Sequence, residues 1–159
     1  MGVRQDHAVS AIRQGHRTYL RTLLLKRYDW MESRVLAAAA RNGYTAVTPA
    51  MNRLFSHMRA RPVGISELAR VLGISRQAVH ELVRQAEDLN LVETITSEQD
   101  ARVKLVRFSQ AGWVMSDCAA GELDAIERDL AAVLGQVDLE ALRRILERTW
   151  SDDEHGLRS

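Results

Sequence analysis

The sequence predicts a mainly α fold with a small β-hairpin, a single domain over residues 1–159. Three observations carry this. Apolar residues recur at helical spacing along most of the chain, and two short β-branched runs flank one polar stretch near residue 100. Only two prolines interrupt 159 residues, while Leu, Ala, Arg and Glu abound.

The first element is a long helix from Ala8 to Arg41, with Val9, Ile12, Leu20, Leu23, Leu24, Met31, Val35 and Leu36 near one face. Gly15 is a candidate interruption, and "RNGY" ends the helix with Gly43 in left-handed geometry. An amphipathic helix of this length is more than a small monomer needs, so it points to a partner surface. In "VTPAMNRLFSHM", Thr48 caps a second helix and Pro49 takes the first turn, where its missing N–H costs nothing. Leu54, Phe55 and Met58 form its apolar face. "RARPVG" reads as a turn, after which Ser66 caps a short helix to Leu72.

"GIS" then breaks the chain, and Ser75 caps a longer helix to about Asn90. Asn90 itself tolerates a left-handed turn. "VETIT" and "VKLVRF" around "SEQDA" predict a two-stranded hairpin. Ser109 caps a long helix toward Leu134, with Leu123, Ile126, Leu130, Val133 and Leu134 on one stripe. Asp138 caps the last helix, striped by Leu139, Leu142, Ile145, Leu146 and Thr149. Two helices crossing at a tight turn and followed directly by a hairpin make a winged helix-turn-helix, here over residues 44–112. Residues 6–43 and 113–150 form the flanking helical region.

The net charge of +1 conceals a gradient. Residues 1–61 carry eleven Lys/Arg against three Asp/Glu (+8), residues 62–112 six against seven (−1), and residues 113–159 five against eleven (−6). Opposite charge at the two ends predicts that the terminal helices lie against each other, within one chain or between two. The overall balance does not announce a polyanionic partner, so that case rests on local placement.

In the helix after "GIS", Val79, Leu82, Val83, Ala86 and Leu89 repeat at helical spacing and face inward. Arg76, Gln77, His80, Glu81, Arg84 and Gln85 are left outside. Arg pairs bidentately with guanine, Gln with adenine, and His80 offers a donor to a base edge or phosphate. Ser75 brings a hydroxyl to a helix N-terminus suited to phosphate. Ala69, Gly73 and Val79 let the two helices cross closely. At the hairpin tip Arg102 and Lys104 stand beside Asp100, with Arg102 suited to a minor groove and Asp100 to orienting it. A solvated helix face and a plain surface hairpin would share these residue types; the order of helix and wing favours DNA.

These pieces resemble the MarR family of bacterial winged-helix transcriptional regulators. The resemblance rests on "VTPAMNRLFSHM", "ISELARVLGISRQAVHELVRQAEDLNLVE", the wing "DARVKLVRFS" and the helix start "SQAG". It implies a homodimer built from the N- and C-terminal helices, bound to pseudo-palindromic promoter double-stranded DNA as a cytoplasmic, nucleoid-associated repressor. It also implies release by a small ligand or by thiol oxidation. Carried across residue by residue, recognition-helix contacts fall on Ser75, Arg76, Gln77, His80 and Arg84, and the wing contact on Arg102; the hairpin tip by itself adds Lys104 as a DNA contact. Two departures stand out. Ala101 occupies a place where relatives often carry a first wing arginine, and Asn90 one where they often carry glycine.

Other residues carry weaker signals. Trp30, Met51, Phe55, Met58 and Trp113 are candidates to line an apolar pocket for a small aromatic or lipophilic effector. Trp30, Trp113 and Trp150 otherwise read as packing residues in interface helices. Cys118, the only cysteine, reads as a small packing residue, with a redox switch as the alternative. His7, His16, His57, His80 and His155 have no metal-ligand spacing, and no metal or cofactor is expected. No phosphate loop, nucleophile elbow or His/carboxylate cluster marks an enzyme, and no apolar run approaches a membrane span of about 20 residues. A winged helix used for protein contact, without specific DNA binding, is the rival reading.

Overall fold

The computed structural model describes residues 18–148. Six helices and three short strands follow one another: α1 Leu20–Arg41, α2 Pro49–Ser56, β1 Val63–Gly64, α3 Ile65–Leu72, α4 Arg76–Asp88, β2 Val92–Thr96, β3 Lys104–Phe108, α5 Gln110–Leu134 and α6 Gln136–Leu146. The sheet is antiparallel with order β1-β3-β2. Among the described residues no helix is long and apolar enough to cross a membrane.

Most boundaries follow local chemistry. The Thr48 hydroxyl accepts from the Met51 N–H at 3.2 Å, and Pro49 fills the first turn of α2. The Ser75 hydroxyl does the same for Ala78 at 3.1 Å, opening α4 one residue after Ile74. Gly73 ends α3 at φ 67°, letting the Ile74 N–H donate back to the Ala69 carbonyl at 3.2 Å. Asn90 takes φ 56° between α4 and β2, so the left-handed turn survives without glycine.

Four expectations need correction. "RARPVG" is more than a turn: Val63 and Gly64 pair with Val106 and Leu105 of β3, making the sheet three-stranded rather than two-stranded. Two residues are too short a run for alternation to betray them. Because β1 runs straight into α3, the helix starts at Ile65 with Gly64 at its cap, and Ser66 is already helical. The last helix likewise starts earlier than Asp138: Gly135, at φ 83°, occupies the cap, and Asp138 lies in the first turn, where its charge meets the helix dipole. Finally, Leu89 is exposed: it stands just past the end of α4 at Asp88, and the chain re-enters the core only at Leu91 and Val92. The first helix begins at Leu20, after an extended Tyr19. The expected stretch before residue 18, with His7, Gly15 and His16, lies outside the described residues, as do Thr149, Trp150 and His155.

One core holds the module together. Met51, Leu54 and Phe55 from α2, with Met58 just beyond its end, meet Leu68 and Leu72 from α3, Val79, Val83 and Ala86 from α4, and Val106 and Phe108 from β3. Leu54, Leu68, Val79 and Val106 are all fully buried. The tilted ring pairs Phe55–Phe108 and Phe108–Trp113, with centroids 5.6 and 5.1 Å apart, link α2 to the root of α5.

The charge gradient is used within the chain. Arg34 of α1 reaches Glu122 at 2.7 Å and Asp129 at 2.6 Å on α5, and Arg41 reaches Glu122 at 3.2 Å. Those carboxylates hold the Arg34 guanidinium more firmly protonated than usual, Asp129 foremost. Leu20, Leu23, Val133, Val137 and Ile145 remain exposed.

Candidate nucleic-acid interface

α4 presents two unlike faces. Val79, Val83 and Ala86 are buried, and Leu82 is partly so. Ser75, Arg76, Gln77, His80, Glu81 and Arg84 are exposed, and Gln85 is half-buried. A shallow groove gathers Ser75, Gln77, Ala78, His80, Glu81 and Arg84, so one surface holds most of the expected contact residues. Helical spacing puts Gln77, Glu81 and Arg84 in one line along that surface.

Glu81 sits in the middle of this line. Its carboxylate accepts from Arg84 Nη2 at 2.8 and 2.9 Å, from Arg84 Nε at 3.2 Å and from Gln85 Nε2 at 2.8 Å. The Gln85 amide and the Arg84 guanidinium hold the Glu81 carboxyl below the usual carboxylate range, and Glu81 in turn stabilises the charge on Arg84. Glu81 appeared in the sequence only as an outward-facing charge; that it ties two neighbours together required coordinates.

The wing is a tight turn between β2 and β3. Asp100 accepts twice: its carboxylate from the Arg102 backbone N–H and its carbonyl from the Val103 N–H, both at 2.9 Å. Asp100 therefore orients Arg102 through the backbone, as an Asx-turn, and leaves the guanidinium free to project. Lys104 lies opposite Thr96 in the ladder and donates to its hydroxyl at 2.7 Å. Ala101 and Arg102 are both exposed at the tip.

The five candidate pocket residues are not brought around one cavity. Met51 and Met58 are buried in the core, Trp113 leans on Phe108, and Trp30 lies half-exposed under the Arg34 guanidinium, 5.4 Å from its ring centroid. Of the five, only Phe55 lines the cavity of about 340 Å³ that opens between α1, α2 and α5. Its other walls are Tyr28, Met31 and Val35, Met115 and Leu123, with Arg53 and Arg59 among its polar residues. Partial burial, then the Glu32 carboxylate, pushes the Tyr28 hydroxyl up. The sequence missed this cavity because helix faces, not helix pairings, are legible in periodicity. Cys118 is half-buried and unpaired by disulfide. Among the described residues no three His, Cys, Asp or Glu side chains are grouped to hold a metal.

Residues 53–103, from the end of α2 to the wing tip, match the sequence profile of the MarR family. Over that third of the chain the winged helix is similar to the MarR family. That family consists of transcriptional regulators, not enzymes. Solved structures with the same fold include apo MarR from E. coli, at TM-score 0.65 and 17% identity, covering 82% of this chain and 96% of that one. YusO from Bacillus subtilis is similar at TM-score 0.57 and 18% identity, covering 89% and 94%. A structure described as the multiple antibiotic resistance repressor MarR aligns at TM-score 0.66 and 17% identity, covering 83% and 97%. No curated protein sequence matches the chain.

Proposed function

We propose that this MarR-like chain is a transcriptional regulator that binds pseudo-palindromic double-stranded DNA as a homodimer and acts as a repressor. The observation that carries the reading is the exposed polar face of α4 beside a wing whose Arg102 guanidinium has no carboxylate partner among the described residues. On this reading Ser75 and the α4 N-terminus meet phosphate, Arg76, Gln77, His80 and Arg84 meet base edges in the major groove, and Arg102 with Lys104 meets the adjacent minor groove. Repression is the role named for one similar structure.

Dimerisation is supported by apolar surface that a single chain leaves in water. Leu20 on α1 is 60% exposed, Val133 at the end of α5 82% and Val137 on α6 80%. These belong to the residue 6–43 and 113–150 regions whose helices run beyond the winged module. A two-fold pair would set its two α4 helices about 34 Å apart, one turn of DNA. The cavity between α1, α2 and α5 is the site for a small aromatic or lipophilic effector. It is walled by both the long helices and the winged module, so a ligand there would bias their relative spacing.

Fluorescence anisotropy on the DNA adjoining the gene, titrated with salt, tests the reading. Specific binding that falls steeply with salt is expected, with light scattering giving a dimer. Absence of binding at low salt would instead favour a winged helix used for protein contact. Thermal-shift measurements with aromatic acids test the cavity. Repeating the titration with an oxidant tests the alternative switch at Cys118.

A further inference from the structure

Glu81 is an anomaly on a face built to meet a polyanion. A lone carboxylate there repels phosphates whatever the sequence. Glu81 is not alone, because Arg84 and Gln85, three and four residues on, both donate to it. We infer that Glu81 is a positioning residue that holds Arg84 as the reader of one guanine in each half-site, an inference resting on the DNA-binding reading above.

The stereochemistry is specific. A guanidinium is planar, with five N–H groups in a fixed fork. Glu81 occupies the Nε–Nη2 edge of Arg84, at 3.2 Å to Nε and 2.8 and 2.9 Å to Nη2. The end-on Nη1–Nη2 edge stays open, and two parallel N–H groups on that edge match guanine O6 and N7. Gln85 takes a further place on the same carboxylate at 2.8 Å, so Glu81 is held from two sides and cannot easily swing away. An exposed arginine normally loses rotamer freedom on binding; one already clamped loses less and tolerates fewer geometries. The clamp thereby trades general attraction to DNA for selectivity at one base.

Arg76 and Arg102 lack such a device, since neither has a carboxylate partner among the described residues. They suit contacts in which the guanidinium finds its own geometry. Arg84 alone among the expected DNA-contacting arginines is set in advance.

Selection of bound sequences from a randomised duplex library, using the full-length protein, tests this. The wild type should enrich a two-fold motif with guanine at a fixed position of each half-site. Arg84→Ala should lose that guanine preference. Glu81→Gln and Glu81→Ala should lose it at the same position, by about tenfold, while the other positions keep their preferences and overall affinity holds or rises. The double variant Glu81→Gln/Arg84→Ala should lose no more than Arg84→Ala alone. If the Glu81 variants keep the guanine preference and change affinity alone, or lose a different position from Arg84→Ala, the positioning role is overturned and DNA binding stands. A wild type that enriches no sequence overturns the DNA reading and this inference together.

Discussion

Gly112 lies directly under the Leu91 carbonyl: a β-carbon at position 112 would overlap that oxygen and come within 2.9 Å of the Phe108 ring. The contact joins the first turn of α5 to the link between α4 and β2. Ser109 completes the joint. Its backbone N–H donates to the Leu91 carbonyl at 3.1 Å, and its hydroxyl donates to the Asn90 carbonyl while accepting from the Gly112 N–H at 3.0 Å. The "SQAG" start of α5 is thus one unit, serine as cap and glycine as clearance, fixing the helical region to the winged module.

Gly112→Ala should therefore destabilise the protein, even though alanine favours helix. The obstacle is backbone carbonyl, which cannot rotate away as a side chain would. A loss of about 1–3 kcal/mol is expected from overpacking. Gly121→Ala is the control on the same helix, where nothing lies within 4 Å, and should be neutral or stabilising by up to about 1 kcal/mol. Thermal melts of the two variants decide the matter; equal behaviour would show that the joint yields.

Ser109, Thr48 and Ser75 show how much of this was legible beforehand. Each is a cap with an immediate local partner, so the residue type predicts the bond. The turn at Gly73 and the left-handed Asn90 were legible for the same reason. Ser66 and Asp138 carried the same signal and did not cap, because Gly64 leaves β1 directly into α3 and Gly135 breaks between α5 and α6. The first start is decided by strand pairing, which is not local, and the second by Gly135, whose φ of 83° places the break three residues before Asp138. On the interface, side-chain exposure was readable from the 3.6-residue period, whereas the Glu81 clamp depends on rotamers. Of the five residues expected around an effector pocket, only Phe55 lines the cavity between α1, α2 and α5. Met51 and Met58 are apolar at helical spacing whether they line a cavity or fill a core, and here they fill the core.

Glu122 should be the costly member of the charge network between α1 and α5. It is largely covered and serves both Arg34 and Arg41, whereas Asp129 is exposed. Glu122→Ala leaves the partly covered Arg34 beside one exposed carboxylate, and a loss of about 1–2 kcal/mol is expected. Asp129→Ala should cost less than about 1 kcal/mol and most of that should vanish in high salt. Denaturant melts at low and high ionic strength separate the two.

The Glu81 clamp should also fix a pH window. Its carboxyl lies below the ordinary value of 4.5 in the folded chain, chiefly through the Gln85 amide and then through Arg84. A depressed folded-state value contributes stability that is present above the unfolded value and lost as pH falls through the folded one. The stability difference between wild type and Glu81→Gln should then stay constant from pH 8 to about 5 and shrink only in more acid solution. Melts across that range check it, and a difference already changing near neutrality would assign the clamp to another group.

The wing should respond to charge at two adjacent positions in opposite directions. Arg102 projects from a turn that Asp100 holds through the backbone, so its guanidinium is available and Arg102→Ala should leave the turn intact. The variant should bind DNA more weakly, lower the salt slope by about one, and lose preference for A·T flanks where the minor groove is narrow. Ala101 is exposed on the same tip. Ala101→Arg should therefore raise affinity and increase the salt slope by about one. Anisotropy titrations at several salt concentrations, on duplexes with A·T or G·C flanks, measure both quantities. If Arg102→Ala changed neither affinity nor flank preference, the wing would lie away from the groove, and the gain expected from Ala101→Arg would fail with it.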